Sequence, residues 1–148
     1  MSILYNISIQ IFVIAARISA LFNDKVKLWH KGREHVFKQL SEVIKEEQNI
    51  VWFHCASLGE FEQGKPIIES YKQKYPKHKI LLTFFSPSGY EIRKNYKGAD
   101  WVFYLPADTK ANAKRFISIV KPKKVVFIKY EFWFNYMTEL KEQNIPFY

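Results

Sequence analysis

The stretch "IVWFHCASLGEFEQGKPIIESYKQKY", residues 50–75, indicates how this chain folds. Its first part, residues 50–56, is an apolar run with the length of a buried β-strand. A short turn of small residues follows, and residues 61–75 carry apolar side chains at helical spacing. A strand that leads through a short turn into a helix is the first half of a βαβ unit, so the stretch predicts an α/β fold.

The same alternation continues to the end of the chain. Further strands are predicted at residues 79–85, 101–105 and 123–129, and a last one begins at residue 145. Between them, helices are predicted in residues 89–96, 109–120 and 132–143. Short connections between such elements favour right-handed crossovers and a parallel sheet with helices on both faces. We therefore predict a Rossmann-like parallel sheet.

Length and composition limit the possible functions. With 148 residues, 48% apolar and 18% aromatic, the chain has enough material for one folded domain with a real core. A net charge of +9 favours an anionic partner such as a phosphate, a nucleic acid or an acidic membrane surface. The single cysteine, Cys55, excludes an internal disulfide, and the sequence contains no zinc-type spacing of cysteine and histidine.

An apolar segment precedes this α/β region. Residues 3–22, "ILYNISIQIFVIAARISALF", are about long enough to cross a bilayer, although polar residues interrupt them. No positive charge comes before the segment, which disfavours a cleaved signal peptide. A basic cluster follows: Lys25, Lys27, His30, Lys31 and Arg33. We predict a membrane-associating helix in residues 1–22, either spanning or lying on the surface, at an anionic cytoplasmic leaflet. A soluble helix that packs on the rest of the chain is the alternative.

Residues 23–49 are predicted to form a basic helical connector, and residues 50–148 the sheet domain. In a parallel sheet the turns after the strands share one edge, where ligands normally bind. These turns are "ASLGE" (56–60), "SPSGYE" (86–91), "PADTK" (106–110) and "KYEFWFN" (129–135). None matches a dinucleotide or P-loop pattern, and none carries a Cys-His or Gly-x-Ser-x-Gly nucleophile. The turns instead offer hydroxyl groups, glycines and carboxylates.

Local structure provides alternative explanations for the carboxylates. The S-x-x-E pattern of a capping box occurs at residues 57–60 and again at residues 88–91, so Glu60 and Glu91 each have a possible capping role. Asp108 directly precedes a predicted helix and has the composition of an N-cap. From spacing alone, Glu60 is as consistent with a cap as with a catalytic base.

Three further residues have equally simple explanations. His54 lies within or at the end of the first strand and is predicted to be a histidine of the core or of its rim. Cys55 is predicted to be a small core residue. Glu131 is consistent with a first-turn charge that favours the helix dipole.

Four motifs together resemble a known family. "WFHCASLGE" (52–60), "TFFSPSGYE" (83–91), "YLPADT" (104–109) and "YEFWFN" (130–135) are similar, in order and spacing, to the N-terminal half of the 3-deoxy-D-manno-oct-2-ulosonic acid (Kdo) transferases. These enzymes modify lipid A in Gram-negative bacteria. The resemblance covers roughly residues 23–148. It implies the N-terminal, acceptor-binding half of a two-domain GT-B glycosyltransferase, preceded by an apolar helix.

The resemblance also implies roles for individual residues. Glu60 matches the proposed general base of the family, and Glu131 matches the family's acid in the fourth turn. Phe134 stands where the family usually has proline. The residues that the resemblance places in acceptor binding are Ser57, Gly59, Ser86, Ser88, Gly89, Asp108 and Glu131.

The implied reaction is an inverting transfer of Kdo from CMP-Kdo to a lipid A precursor during lipopolysaccharide biosynthesis. A carboxylate deprotonates the acceptor hydroxyl as it attacks the anomeric carbon. The leaving group is a phosphate ester, so the resemblance implies neither a metal nor a cofactor. CMP-Kdo binds mainly to a C-terminal domain that this sequence does not contain, and we therefore expect the fragment alone to be inactive. The expected location is the cytoplasmic face of the inner membrane, against its anionic surface.

A non-catalytic module that binds anionic lipid is the alternative function. Nucleic acid is a disfavoured partner, because the aromatic residues lie mostly inside apolar runs and not between basic residues on an exposed strand. A glycosyltransferase domain encoded after residue 148 would favour the enzyme, and a natural stop would favour the binding module.

Overall fold

The computed structural model describes residues 2–45, 49–129 and 132–148. Four parallel strands form one sheet in the order β3-β2-β1-β4. They are β1 (Ile50–Cys55), β2 (Lys79–Phe84), β3 (Trp101–Tyr104) and β4 (Lys124–Phe127). The predicted parallel, Rossmann-like sheet is confirmed, with strand ends within two residues of the prediction.

The last apolar run of the sequence lies beside β4, at the edge of the sheet. Phe147 forms an isolated parallel bridge with Val125 of β4. The N–H of Val125 donates to the carbonyl of Pro146 at 3.0 Å, and the N–H of Tyr148 donates to the carbonyl of Val125 at 3.1 Å. The chain therefore returns to the sheet outside β4, as the sequence predicts.

Seven helices surround the sheet in the described part of the chain. They are α1 (Ser2–Ser19), α2 (Asp24–Glu34), α3 (Val36–Val43), α4 (Leu58–Lys74), α5 (Pro87–Arg93), α6 (Lys110–Val120) and α7 (Phe134–Glu142). The connector predicted for residues 23–49 contains α2 and α3. Because Val36 and Leu40 of α3 are buried in the main core, this connector also contributes to the core of the sheet domain.

The central strand β1 separates two hydrophobic cores. Neighbouring residues of a strand point to opposite faces, so Trp52 packs in one core with Phe116 and Phe53 packs in the other with Phe61. All six residues of β1 are buried. Such burial on both faces is typical of parallel sheets covered by helices, and it explains the continuous apolar run at residues 50–53.

The N-terminal helix α1 packs on the domain along one side only. Its buried Ala16 joins a small apolar cluster with Trp29 of α2 and Ala107, which follows β3. Its other side exposes large apolar residues to solvent: Ile3, Leu4, Ile7, Ile11, Ile14 and Ile18. Among the described residues no single helix is both long and apolar enough to cross a membrane, while α1 and α2 pass that test together but are bent by 116°.

Arg33 connects α2 to the carboxyl ends of two strands. Its guanidinium donates to the carbonyls of Phe85 at 2.6 Å and Leu105 at 2.8 Å, directly after β2 and β3. The same group lies 4.0 Å from the ring centroid of Trp29. The sequence-based grouping of Arg33 with surface cations is therefore wrong, because its side chain is partly buried between aromatic rings and pairs with backbone oxygens.

Candidate functional site

The predicted turns do meet at the carboxyl edge of the sheet. The N–H of Ser86 donates to the carbonyl of Ala56 at 2.7 Å, which joins the turns after β1 and β2. The N–H of Ile128 donates to the carbonyl of His54 at 2.9 Å, which joins the ends of β4 and β1. The turn that carries Glu60 therefore lies between the turns after β2 and β4, at the middle of the edge.

Glu60 forms the predicted capping box. Helix α4 begins directly after its N-cap Ser57, and the N–H of Ser57 donates to Oε2 of Glu60 at 2.9 Å. Within residues 2–45, 49–129 and 132–148, the other oxygen, Oε1, has no hydrogen-bond partner. The side chain is only partly buried. One carboxylate can therefore satisfy the helix start through one oxygen and still present the second oxygen to a ligand.

The helix after the second turn, α5, begins two residues earlier than its sequence pattern suggests. Ser86 is the N-cap of α5, its Oγ accepts from the N–H of Ser88 at 3.2 Å, and the two hydroxyl oxygens lie 2.8 Å apart. Pro87 occupies the first helical position, where proline fits well. The capping role considered for Glu91 is therefore wrong. Glu91 lies inside α5 and instead accepts from the hydroxyl of Tyr104 at 3.2 Å.

The two glycines predicted at the site have different surroundings. Gly89 is buried, and a Cβ built on it overlaps the ring of Phe84, whose Cε1 would be only 2.8 Å away. Gly59 is exposed, and the nearest atom to its built Cβ is Oγ of Ser57 at 4.0 Å. Gly89 thus allows α5 to approach β2 closely, whereas the space beside Gly59 is open.

This difference predicts opposite results for one substitution. Gly89→Ala should lower the free energy of unfolding by about 1–3 kcal/mol, because an added methyl group overpacks a filled contact. Gly59→Ala, the matched control, should change it by less than about 0.5 kcal/mol. Chemical denaturation of both variants measures these values. Equal stability of the two variants would contradict the close-packing role of Gly89.

Asp108 is buried and caps a helix other than the predicted one. Thr109 is the N-cap of α6, so the role considered for Asp108 at that helix is wrong. Oδ1 of Asp108 accepts from the N–H of Tyr136 at 3.1 Å, and Oδ2 of Asp108 accepts from the N–H of Asn135 at 3.1 Å. Both donors lie in the first turn of α7. The hydroxyl of Tyr5, on α1, also donates to Oδ2 at 2.6 Å.

Asp108 therefore joins three elements at the edge of the sheet. A parallel contact supports it, because Nδ2 of Asn135 donates to Oδ1 of Asn6 on α1 at 2.9 Å. Burial raises the pKa of the Asp108 carboxyl, and the hydrogen bonds from Tyr5 and α7 oppose that rise. Acceptor binding by Asp108 stays a prediction, and the side chain is buried in this structure.

The fourth turn is described only in part. Glu131 lies outside the described residues, so its predicted role stays a prediction. Phe134 is the first residue of α7. Proline is favoured at this position because the N–H there needs no intrahelical partner, and phenylalanine meets the same backbone requirement. The replacement of the family's proline by Phe134 is thus compatible with a regular helix start.

His54 is a core histidine, in agreement with the sequence-based prediction. It is fully buried, and its Nδ1 lies 2.8 Å from the hydroxyl oxygen of Thr83. Burial lowers the pKa of His54 to about 3. The imidazole is therefore neutral at physiological pH and lies where no ligand can contact it, so it is not a candidate for the base.

The buried imidazole predicts a pH dependence of stability. The unfolded chain binds a proton at His54 near pH 6.5, but the folded chain does so only near pH 3, so stability is present above pH 6.5 and falls with pH below it. Between about pH 7 and pH 5 the loss from this residue should be about 2 kcal/mol. Denaturation curves of His54→Asn should lack that part of the slope. His35→Asn, at an exposed position, should keep it, and equal slopes would contradict the prediction.

The polar contacts of α1 were not predicted. Asn6 was treated only as an interruption of an apolar segment, and Tyr5 only as part of that segment, yet they contact the third and fourth turns. Neighbouring polar residues in an otherwise apolar helix were the available signal for a docked side. In the part of the chain that the structure describes, no group of three or more His, Cys, Asp or Glu residues has the arrangement of a metal site.

Comparison with known proteins gives a consistent result. The sequence model of a family described as "3-Deoxy-D-manno-octulosonic-acid transferase (kdotransferase)" matches residues 31–148. The match includes all four turns and most of the connector.

Curated relatives agree with this match. A 3-deoxy-D-manno-octulosonic acid transferase of Haemophilus influenzae is 34% identical over 98 residues, which cover 66% of this chain and 23% of the relative. The protein of the same name from Aquifex aeolicus is 38% identical over 93 residues, which cover 62% of this chain and 26% of the relative. The matched part of the chain thus corresponds to about a quarter of the length of these relatives.

Proposed function

Because the chain belongs to the 3-deoxy-D-manno-octulosonic-acid transferase family, we propose that it forms the acceptor-binding half of a GT-B enzyme that transfers Kdo from CMP-Kdo to a lipid A precursor. The parallel sheet, with its open turns at the carboxyl edge, supports this role. In this proposal CMP-Kdo binds mainly to a second domain, and the chain alone does not transfer Kdo. The matched residues correspond to about a quarter of the length of these relatives, and in this proposal the complete activity belongs to an enzyme that joins the chain to that domain.

Glu60 is the general base in this proposal. The observation that supports this role is the difference between the two carboxylate oxygens: Oε2 caps α4, whereas Oε1 has no hydrogen-bond partner in the described part of the chain. Oε1 accepts the proton of the acceptor hydroxyl while the oxygen attacks the anomeric carbon of Kdo. The bond to the phosphate of CMP breaks, and the configuration at that carbon inverts. The leaving group is a phosphate ester, which leaves readily as an anion. For this reason the proposal includes no resident cofactor.

The acceptor contacts belong to the turns that remain accessible. Ser57 and Gly59 precede the base, and Ser86 and Ser88 present two hydroxyl groups in the neighbouring turn. Glu131 completes this set in the proposal. Gly89 and Asp108 have surroundings that favour a supporting role, since each is buried against protein.

We further propose that the protein associates with the cytoplasmic face of the inner membrane. The exposed apolar side of α1 supports this location. Lys25, Lys27 and Lys31 are exposed on α2, the helix that follows α1, and in this proposal they approach anionic headgroups. Binding through a surface helix and charges, without a span, is typical of amphipathic anchors.

A paired substitution tests the membrane contact. Changing Ile7 and Ile11, both exposed on α1, to serine should weaken binding to vesicles containing phosphatidylglycerol by about tenfold or more, because two apolar side chains are lost from the lipid phase. Ile67→Ser on α4 also removes an exposed isoleucine and should leave binding unchanged. Cosedimentation with vesicles measures the binding of both variants. Binding of the wild-type chain should weaken as the salt concentration rises. Unchanged binding of the double variant would contradict this orientation.

Transfer of Kdo from CMP-Kdo to a lipid A precursor tests the proposed function itself. The enzyme that contains this chain should form the product, whereas a non-catalytic lipid-binding module should bind the acceptor and form none.

A further inference from the structure

A groove lies between the N-terminal helices and the acceptor turn. Its volume is about 430 Å³, within the roughly 300–1,000 Å³ that is typical of ligand sites. Helix α1 forms one wall, α2 forms a second, and the turn after β2 forms a third. The residues that matter for the argument are Phe12, Ala15, Lys25, Trp29, Phe85 and Ser86.

Aromatic rings make the groove apolar and fix its shape. The ring centroids of Phe12 and Trp29 are 5.7 Å apart, those of Trp29 and Phe85 are 5.5 Å apart, and those of Phe12 and Phe85 are 6.3 Å apart. Arg33 holds Trp29 and Phe85 in place, because it bonds to the carbonyl of each. A sugar or a nucleotide base would lose hydrogen bonds to water in such surroundings, whereas a hydrocarbon chain would lose none.

The two ends of the groove indicate which hydrocarbon it takes. On one side, α1 presents the exposed apolar residues that are proposed to contact lipid. On the other side, Ser86 belongs both to the groove and to the proposed acceptor turn. Lys25 also lines the groove and is exposed, so its ammonium group is available to an anion outside the apolar part. The groove thus connects a lipid surface, a cation and the acceptor turn.

We propose that this groove holds one acyl chain of the acceptor lipid, with Lys25 beside an acceptor phosphate. The inference rests on the proposed function. Moving a chain from a bilayer into an apolar groove yields little transfer energy, because both surroundings are apolar. The groove therefore acts by orienting the acceptor, so that its sugar reaches the turn of Ser86 and the base Glu60 in a reactive position.

A binding experiment tests the groove without any transfer reaction. The probe is a lipid A precursor with a brominated acyl chain, which quenches a tryptophan that it touches. The expected result is quenching of the chain's fluorescence that is lost in Trp29→Phe and in Ala15→Phe, because the first variant removes the reporter and the second fills the groove. Ile67→Phe adds the same ring to an exposed position of α4, outside the groove and away from the lipid-facing side of α1, and should leave quenching intact.

Kinetics in the enzyme that contains this chain provide the second test. Ala15→Phe should lower kcat/KM by about tenfold or more for the acylated acceptor, since misfitted apolar contacts change discrimination by roughly 10–200-fold. The same saccharide without its acyl chains should react with the variant and the wild type at equal rates. Ile67→Phe should behave like the wild type with both acceptors.

The outcomes separate this inference from the proposed function. Absence of Trp29 quenching, or equal losses with both acceptors in Ala15→Phe, would overturn the groove even if the wild-type enzyme transfers Kdo. Equal quenching by brominated phosphatidylglycerol would assign the groove to bulk membrane lipid and would also overturn the inference. Selective quenching by the brominated acceptor in a protein that transfers no Kdo would support the binding site and reject the proposed reaction.

Discussion

Replacing Glu60 by glutamine should slow Kdo transfer by a factor on the order of 10²–10⁴ while the protein stays folded, because this is the usual contribution of a general base. The glutamine oxygen can still accept the N–H of Ser57, so the capping box remains. The amide cannot accept a proton from the acceptor hydroxyl. The rate should be measured in a single turnover of the enzyme that contains this chain, with unfolding curves recorded for the same variant.

Glu62→Gln is the matched control. Glu62 is exposed on the same helix and pairs with Arg93 at 2.6 Å, a surface ion pair whose loss should cost less than about 1 kcal/mol. Its transfer rate should equal that of the wild type. Near-normal turnover of Glu60→Gln, with chemistry limiting the rate, would make Glu60 a cap only, and Glu131 would become the next candidate for the base.

Replacing Asp108 by alanine should lower the free energy of unfolding by about 3–5 kcal/mol, because three donors lose their acceptor and each buried unpaired donor costs roughly 1–3 kcal/mol. Those donors are the N–H groups of Asn135 and Tyr136 and the hydroxyl of Tyr5. Asp108→Asn should also be destabilised, since its amide nitrogen cannot accept from any of them. Chemical denaturation measures both changes.

Two milder variants provide reference values for the loss of unfolding free energy in Asp108→Ala. Thr109→Ala removes only the N-cap of α6 and should cost about 1 kcal/mol. Tyr5→Phe removes one donor and should cost about 0.5–1.5 kcal/mol. A cost for Asp108→Ala no larger than that for Thr109→Ala would contradict the view that this carboxylate joins α1, α7 and the turn after β3.

The sheet was predictable because its strands depend on local patterns. Parallel strands covered on both faces need continuous apolar runs, and residues 50–56 and 79–85 have them. The turns at the carboxyl edge then follow from the parallel arrangement, so the position of Glu60 at that edge was also predictable. Its place near the middle of the edge depends on the strand order, which the structure provides.

The contacts between distant residues were not predictable in this way. Asp108 has the local composition of an N-cap for α6, and nothing in its neighbourhood indicates that it caps α7 or that Tyr5, 103 residues away, donates to it. Arg33 has the local composition of a surface cation, yet backbone carbonyls 52 and 72 residues away hold it inside. In both cases tertiary packing decides between partners that the sequence leaves equivalent.

Equilibrium binding of a lipid A precursor to this chain, in the absence of any donor, tests whether the chain holds the acceptor. We expect saturable binding by the wild-type chain, equal binding by Glu60→Gln, and weaker binding when Ser86 in the acceptor turn is changed to a bulky residue. Binding no stronger than that of phosphatidylglycerol, or insensitive to Ser86, would contradict the claim that this chain holds the acceptor.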